Sequence, residues 1–353
     1  MSLPTQFKLI SYKVMYKKNK IYNYLIIFSL CCTTFFTSCI REEHFNNDPE
    51  GNFEALWKII DEGYCFLDYK EINWDSIYYV YKKRISPTMS NEALFEVLGD
   101  MLEELRDGHV NLSWSANQSR YWNWYEDYPR NFNEGIQEDY LGTNYRIAGG
   151  VKYTILDDNI GYLYYSSFMS GLGNGNLDHI LDYLSICNGL IVDVRHNGGG
   201  ILTNSTRFAS RFTNEKTLVG YIQHKTGPGH NDFSKPKAQY INPTKGIRWQ
   251  KKTVVLTNRR TFSAANDFVN NMRYFENVIT LGDNTGGGSG LPFSSELPNG
   301  WSVRYSASPH YDAEMNQIEF GIEPDIKVDM NIEDELKGID TLIEEARKIL
   351  NKK

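Results

Sequence analysis

Four segments of this sequence carry side chains suited to chemistry. Leu105-Arg-Asp-Gly-His109 sets a histidine just beyond an apolar helical pattern. Asp193-Val-Arg-His-Asn-Gly198-Gly199-Gly200 follows a short apolar run. Thr257-Asn-Arg-Arg-Thr-Phe-Ser263-Ala264-Ala265 places a serine between a strand-like and a helix-like stretch, and Glu319 precedes Gly321-Ile-Glu323-Pro-Asp325. A serine at a helix start has its hydroxyl beside free backbone N–H groups and the positive end of the helix dipole. That setting stabilises the oxyanion formed when the hydroxyl attacks a carbonyl. A histidine can take the hydroxyl's proton and return it to the leaving group, because its ordinary pKa lies near neutrality. Each residue also has a plainer reading: serine is a favoured N-cap, a single histidine is commonly structural, and a glycine run is commonly a turn.

Other chemistries find no support. The seven histidines are scattered, with no His-Glu-x-x-His and no paired cysteines, so no metal site is predicted. There is no phosphate loop or dinucleotide fingerprint, and no cofactor is expected. The formal net charge of −7 argues against nucleic acid as a partner.

The elements that must position these residues are readable from periodicity. Phe53, Leu56, Trp57, Ile60 and Tyr64 share one helical face, as do Leu94, Phe95, Leu98, Leu102 and Leu105 behind an N-cap at Ser90. With a further helix over 73–86, residues 51–108 read as a small helical domain. From about 150 the period changes. Strands at Ile160–Tyr165, Gly189–Arg195, Thr253–Thr257 and Val278–Leu281 alternate with helices at Leu177–Leu184 and Ala264–Met272. This predicts an α+β or α/β layered core over 151–353, with a β-hairpin in 300–320 and a closing helix carrying Leu336, Ile339, Leu342, Ile343, Ala346 and Ile349. Between the two parts, 109–150 forms an aromatic connecting segment. Its Tyr121-Trp-Asn-Trp-Tyr-Glu-Asp-Tyr-Pro stretch either packs over the core or walls a substrate cleft.

The first 38 residues read as a secretory signal: Lys17, Lys18 and Lys20, then the apolar run Tyr24–Cys32, then small residues. The apolar run is too short to span a bilayer, and Met15 would give a more ordinary start than Met1. Phe36-Thr37-Ser38-Cys39 resembles a bacterial lipobox, with Cys39 lipidated; cleavage without lipidation is the plainer reading. Residues 39–50 would then be a tether to an outer membrane, facing periplasm or cell surface. Without 1–38 the chain holds thirty-two basic and forty-four acidic residues, a net of −12. Its remaining cysteines, Cys65 and Cys187, are too few for a disulfide framework and read as buried thiols, although they could pair.

Taken together and in this order, the four segments resemble the tail-specific, or C-terminal-processing, serine peptidase family. Asp193-x-Arg-x-Asn-Gly-Gly-Gly is the most specific motif, and Ser263-Ala264-Ala265 and Pro324-Asp325-Ile326 fall where the family has theirs. The resemblance implies a crotonase-like core of stacked β-β-α units and a peptide or protein substrate. It also implies one of two catalytic arrangements. The Ser/Lys type needs Gly-x-x-Thr-x-Gly-Lys-Gly; here the stretch reads Gly282-Asp-Asn-Thr285-Gly-Gly-Gly288-Ser289, and Gly288 cannot take a proton. The tricorn-core type uses a histidine and a glutamate, which His109 and Glu319 match, with Glu323 as alternative. Ser263 would be the nucleophile, and the N–H groups of Ala264 and of Gly198 or Gly199 would hold the oxyanion. The tricorn-type serine before the histidine is Gly108 here, so Ser113 or a water would have to link Glu319 to His109. The interval 109–150 is too short for the PDZ domain many members carry. Two other readings use the same residues: a non-catalytic ligand- or peptide-binding protein on this fold, and a Ser/His esterase.

Overall fold

The computed structural model describes residues 44–352 apart from Ala116; the signal segment, Cys39 and the first part of the tether lie outside the described residues. Three helices come first: α1 (Pro49–Gly63), α2 (Trp74–Lys82) and α3 (Asn91–Glu103). Asp48, Asn73 and Ser90 cap them, each side chain accepting from an N–H of the first turn. The periodic apolar residues Phe53, Leu56, Ile60, Leu94, Leu98 and Leu102 are buried. The connecting segment is structured, running through β1 (Asn111–Trp114), β2 (Asn117–Gln118), α4 (Asn123–Glu126), α5 (Glu134–Leu141) and β3 (Arg146–Ala148).

The core follows: β4 (Val151–Ile155), β5 (Ile160–Tyr164), α6 (Asn174–Tyr183), β6 (Gly189–Asp193), α7 (Leu202–Ala209), β7 (Thr217–Ile222), β8 (Lys237–Ile241), β9 (Thr253–Thr257), α8 (Ala264–Met272), β10 (Val278–Gly282), β11 (Gly290–Glu296), β12 (Ser302–Tyr311), β13 (Ile326–Lys327), α9 (Ile332–Glu335) and α10 (Thr341–Asn351). One sheet has the order β13-β10-β9-β6-β5-β4-β3, parallel from β5 through β13. Every residue of β6 and β9 is buried, which is why both read as unbroken apolar runs. Val192 and Val255 pack with Phe208 and Phe268 of α7 and α8. Ile191, Val254 and Leu256 face the opposite way, onto Leu342, Ile343 and Ala346 of α10. The second sheet, β2-β1-β12-β7-β8 with β11 also on β12, joins the connecting segment to the core. Asn46–Lys353 form one unit, so the helices and both sheets position a common site.

Two expectations shift. The hairpin is β11–β12 around Leu297–Trp301, one strand earlier than 300–320, because Pro298-Asn-Gly300 supplies the turn and Gly300 the positive φ. The closing helix is interrupted: Gly338 adopts φ +74 between α9 and α10, and Leu336 is 84 % exposed rather than on a packed face. Cys65 and Cys187 are both buried and unpaired.

Candidate active site

Ser263 stands where β9 ends and α8 begins. Parallel strands deliver their carboxyl ends to one edge of the sheet, where ligand sites of such sheets gather. The loops after β6 and β9 meet there, with the Phe262 N–H donating to Asn197 O at 3.0 Å. Asn258 braces the turn by accepting from the His196 and Arg260 amides. Ser263 itself is held at φ +58, ψ −121, a conformation non-glycine residues rarely adopt. Its N–H donates to Gly287 O at 2.8 Å. The turn thereby fixes the hydroxyl at the head of α8, beside the Ala264 amide.

His109 arrives from the other side of the cleft, on the turn between α3 and β1. Its Nε2 lies 2.9 Å from Ser263 Oγ. The turn is pinned from beneath by Asp107, whose Oδ1 accepts the His109 amide at 2.8 Å while Oδ2 accepts from Tyr64 and Ser306. Burial pulls the imidazole's pKa down to about 4, against the opposing pull of Asp107. The ring packs on Phe262, centroids 4.8 Å apart. His109 Nδ1 has no acceptor among the described residues.

Glu319 is buried but does not touch His109. Its Oε1 accepts from Lys70 Nζ at 2.9 Å and its Oε2 from the Ser289 amide at 2.8 Å. Lys70 is 6 % exposed, also donates to the carbonyls of Leu105 and Arg106, and lies 3.7 Å from Asp107. Two buried carboxylates thus share one ammonium. Asp107 is held below its ordinary range, since Lys70, His109 and its hydrogen bonds outweigh burial. Glu319 goes up to about 7, driven by burial and the charge of Asp107 against Lys70. Glu323 is exposed. Ser113 bonds Gln118 rather than bridging Glu319 to His109.

Glycines account for two further placements. Gly199 has φ +92, and a Cβ there would sit 2.6 Å from Phe262 O and 2.7 Å from Ser263 Cβ, so only glycine lets the two loops close. Its N–H already donates to Asn197 Oδ1, which leaves Gly198 as the freer of the two predicted oxyanion glycines. Gly288 has φ +76 and a Cβ there would enter the Phe262 ring, so no lysine fits where the Ser/Lys arrangement needs one. At Gly108 a Cβ would lie 2.6 Å from Trp124 Nε1; that indole occupies the room a serine would need.

Trp124 also stacks on Phe262 at 4.2 Å, so part of the aromatic segment walls the site. Tyr121, Trp122 and Trp124 line a cavity of about 420 Å³ that reaches His109 and Ser263. A second cavity, about 250 Å³, also reaches His109 and Ser263 and is lined by Leu202, Asp267, Leu291, His310 and Ile318. The Asp193-x-Arg motif, by contrast, is internal structure: Arg195 is fully buried, bonded to Asp193 at 2.6–2.9 Å and to Asp340 at the start of α10. No group of His, Cys, Asp and Glu among the described residues could hold a metal ion. Lys70, Phe262 and Asp267 were not picked out from sequence, whereas Trp124 belongs to the aromatic segment named as a candidate cleft wall. Asp267 had a usable signal, lying four residues after Ser263 and hence on the same helical face; Lys70 had none.

Comparison with known proteins now decides the family. The model of peptidase family S41 matches residues 159–328, and that of the tricorn protease C1 domain matches 45–103. A crystallised protein of Parabacteroides merdae ATCC 43184, described as a candidate peptidase, is 54% identical, with 87% of this chain and 98% of that one covered and a TM-score of 0.84. The chain belongs to peptidase family S41. As a member it is a serine-type peptidase, a hydrolase, and its kinship is with the tail-specific, C-terminal-processing proteases. The carboxy-terminal processing protease CtpA of Bacillus subtilis strain 168 is 25% identical over 177 residues, 49% of this chain. The matched stretch is 36% of that relative's length. Mature CPAF complexed with lactacystin has a similar fold at 11% identity and a TM-score of 0.69, over 86% of this chain and 97% of that one.

Proposed function

We propose that this S41 member is an endopeptidase working through an acyl-enzyme on Ser263, with His109 as general base. The 2.9 Å contact between His109 Nε2 and Ser263 Oγ, at the junction of two cavities, carries the reading. The hydroxyl oxygen attacks the peptide carbonyl carbon while its proton passes to Nε2. The C–N bond breaks as that proton is returned to the leaving amine, and water then hydrolyses the ester by the same route. Burial supports the role, because an imidazole held neutral is ready to accept a proton. The oxyanion lies against the N–H groups of Ala264 and Gly198. Glu319 is a positioning residue in this reading: through Lys70 and the Ser289 amide it fixes the two loops between which His109 and Gly288 sit. The segment around Cys39 supports export and lipid attachment at the outer membrane, with peptides or proteins as substrates.

Labelling the purified domain with a fluorophosphonate tests the chemistry. Wild type should react, whereas Ser263→Ala and His109→Ala should fall to background while keeping their circular dichroism. Folded wild type that stays unlabelled would shift the function to peptide or ligand binding. Labelling together with turnover of small esters but not peptides would make it an esterase.

A further inference from the structure

The geometry points to the 250 Å³ cavity beside Ser263 as a subsite for a cationic substrate side chain, lysine or arginine, read by Asp267. Asp267 lies one helical turn beyond Ser263, its N–H donating to Ser263 O at 2.9 Å, and both residues line this cavity. Two neighbours fix the carboxylate: Oδ2 accepts from Ser205 Oγ at 2.6 Å and from Asn271 Nδ2 at 3.0 Å. Oδ1 takes no hydrogen bond from any described residue and, unlike the sealed unpaired atoms elsewhere in the fold, stays open to solvent. It is therefore an acceptor presented to the cavity that Ser263 also lines. His310, on β12, lines the same space and its Nε2 has no partner. Leu202, Leu291 and Ile318 supply apolar wall for the methylene stem of a long side chain.

Charge selects among the occupants such a pocket could take. A neutral side chain filling the cavity would take solvent from Asp267 Oδ1 without giving it a donor, and an anionic one would also repel it. A guanidinium or ammonium supplies both the counter-charge and the N–H donors. The other charged groups of the cavity do not pre-empt it. Burial lowers the pKa of both His109 and His310, although the Asp267 charge pulls His310 the other way. Burial likewise raises the Asp267 carboxyl above its ordinary value, which a bound cation would oppose. Arg304 is exposed and forms no ion pair with Asp267. The assignment gains its catalytic meaning from Ser263 as nucleophile, but its test does not depend on turnover.

The test uses Ser263→Ala protein and peptides carrying a single arginine in an alanine-glycine framework, paired with peptides in which citrulline, its neutral isostere, replaces the arginine. Calorimetry should show the arginine peptide binding roughly 10- to 100-fold tighter, with lysine exceeding norleucine in the same way. Adding Asp267→Asn should bring the ratio close to one. Equal binding of the two peptides, or none by either, overturns the subsite. A ratio that survives Asp267→Asn overturns Asp267 as its reader. Because binding is measured without the nucleophile, these failures are distinct from a failure of wild type to react with fluorophosphonate, which would remove the serine chemistry instead.

Discussion

The pairing of Ser263 with His109 places an unusual demand on one imidazole. As the proposed general base it must be basic enough to draw a proton from a hydroxyl, yet it is 5 % exposed, and that burial takes its pKa down to about 4. Asp107, which also accepts the His109 amide at 2.8 Å, limits the fall by its charge. A pH profile follows. If His109 is the base, the rate of fluorophosphonate labelling should hold its plateau from pH 7 to below 5.5 and fall only towards pH 4–5. An acid limb centred near 6.5, the ordinary histidine value, would contradict the burial argument. Stability moves with the same group. Unfolded His109 binds its proton near 6.5 and folded His109 only near 4, so the neutral form's contribution is present above 6.5 and lost as pH falls through that window. Glu319 has the opposite sign: its folded value near 7 lies above its unfolded one, so its contribution is lost as pH rises from about 4.5 through 7. His109→Gln should therefore flatten the acid side of a Tm-against-pH curve and leave the neutral side unchanged.

At the scale of elements, the site is a meeting of three loops closed by aromatic rings. Phe262 touches all of them: it stacks on Trp124, packs on His109 and fills the space over Gly288. This explains why a lysine is excluded physically and not merely missing. Gly288→Lys should cost about 2–4 kcal/mol through strained φ and overpacking, read as a lower Tm. It should also abolish labelling by displacing Phe262 from His109, and a His109→Ala/Gly288→Lys variant should stay inactive. Recovery of labelling in that double variant would mean the two catalytic arrangements are interchangeable on this backbone. The strand–turn–helix at Ser263, the glycine turn after β6 and the histidine beyond α3 were legible in the sequence because each sits at a change of period or a run of residue types with one conformational use. The hairpin was misplaced by one strand because Gly286 to Gly290 read as loop, although Gly290 already pairs with Pro309. Lys70 was invisible for a different reason. Its partner Glu319 is 249 residues away, and nothing in Tyr69-Lys70-Glu71 marks a buried cation.

Across the whole molecule, two buried ion networks tie distant parts of the chain to the site. Arg195 joins the loop after β6 to Asp340 at the head of α10, and Lys70 joins the helical segment to Glu319. Removing one partner of a buried network leaves charge uncompensated, at about 3–5 kcal/mol. Lys70→Met should show a loss of that order in urea unfolding, and adding Glu319→Gln should recover part of it. Additive losses would mean the two residues stabilise the fold independently. Outside this body, the proposed location of the enzyme rests on Cys39. In the proposed reading, Lys17, Lys18 and Lys20, the short apolar run and Ser38-Cys39 act as an export signal whose final cysteine carries lipid. A single acyl chain holds a protein only marginally to a membrane, so stable retention needs more than one chain on that residue. In a bacterial host, the full chain should fractionate with membranes and take up radiolabelled palmitate. Cys39→Ala should lose the label and leave the mature body soluble or the precursor uncleaved. Unchanged fractionation without label would show that retention comes from some other feature and that Cys39 is an ordinary residue of the leader.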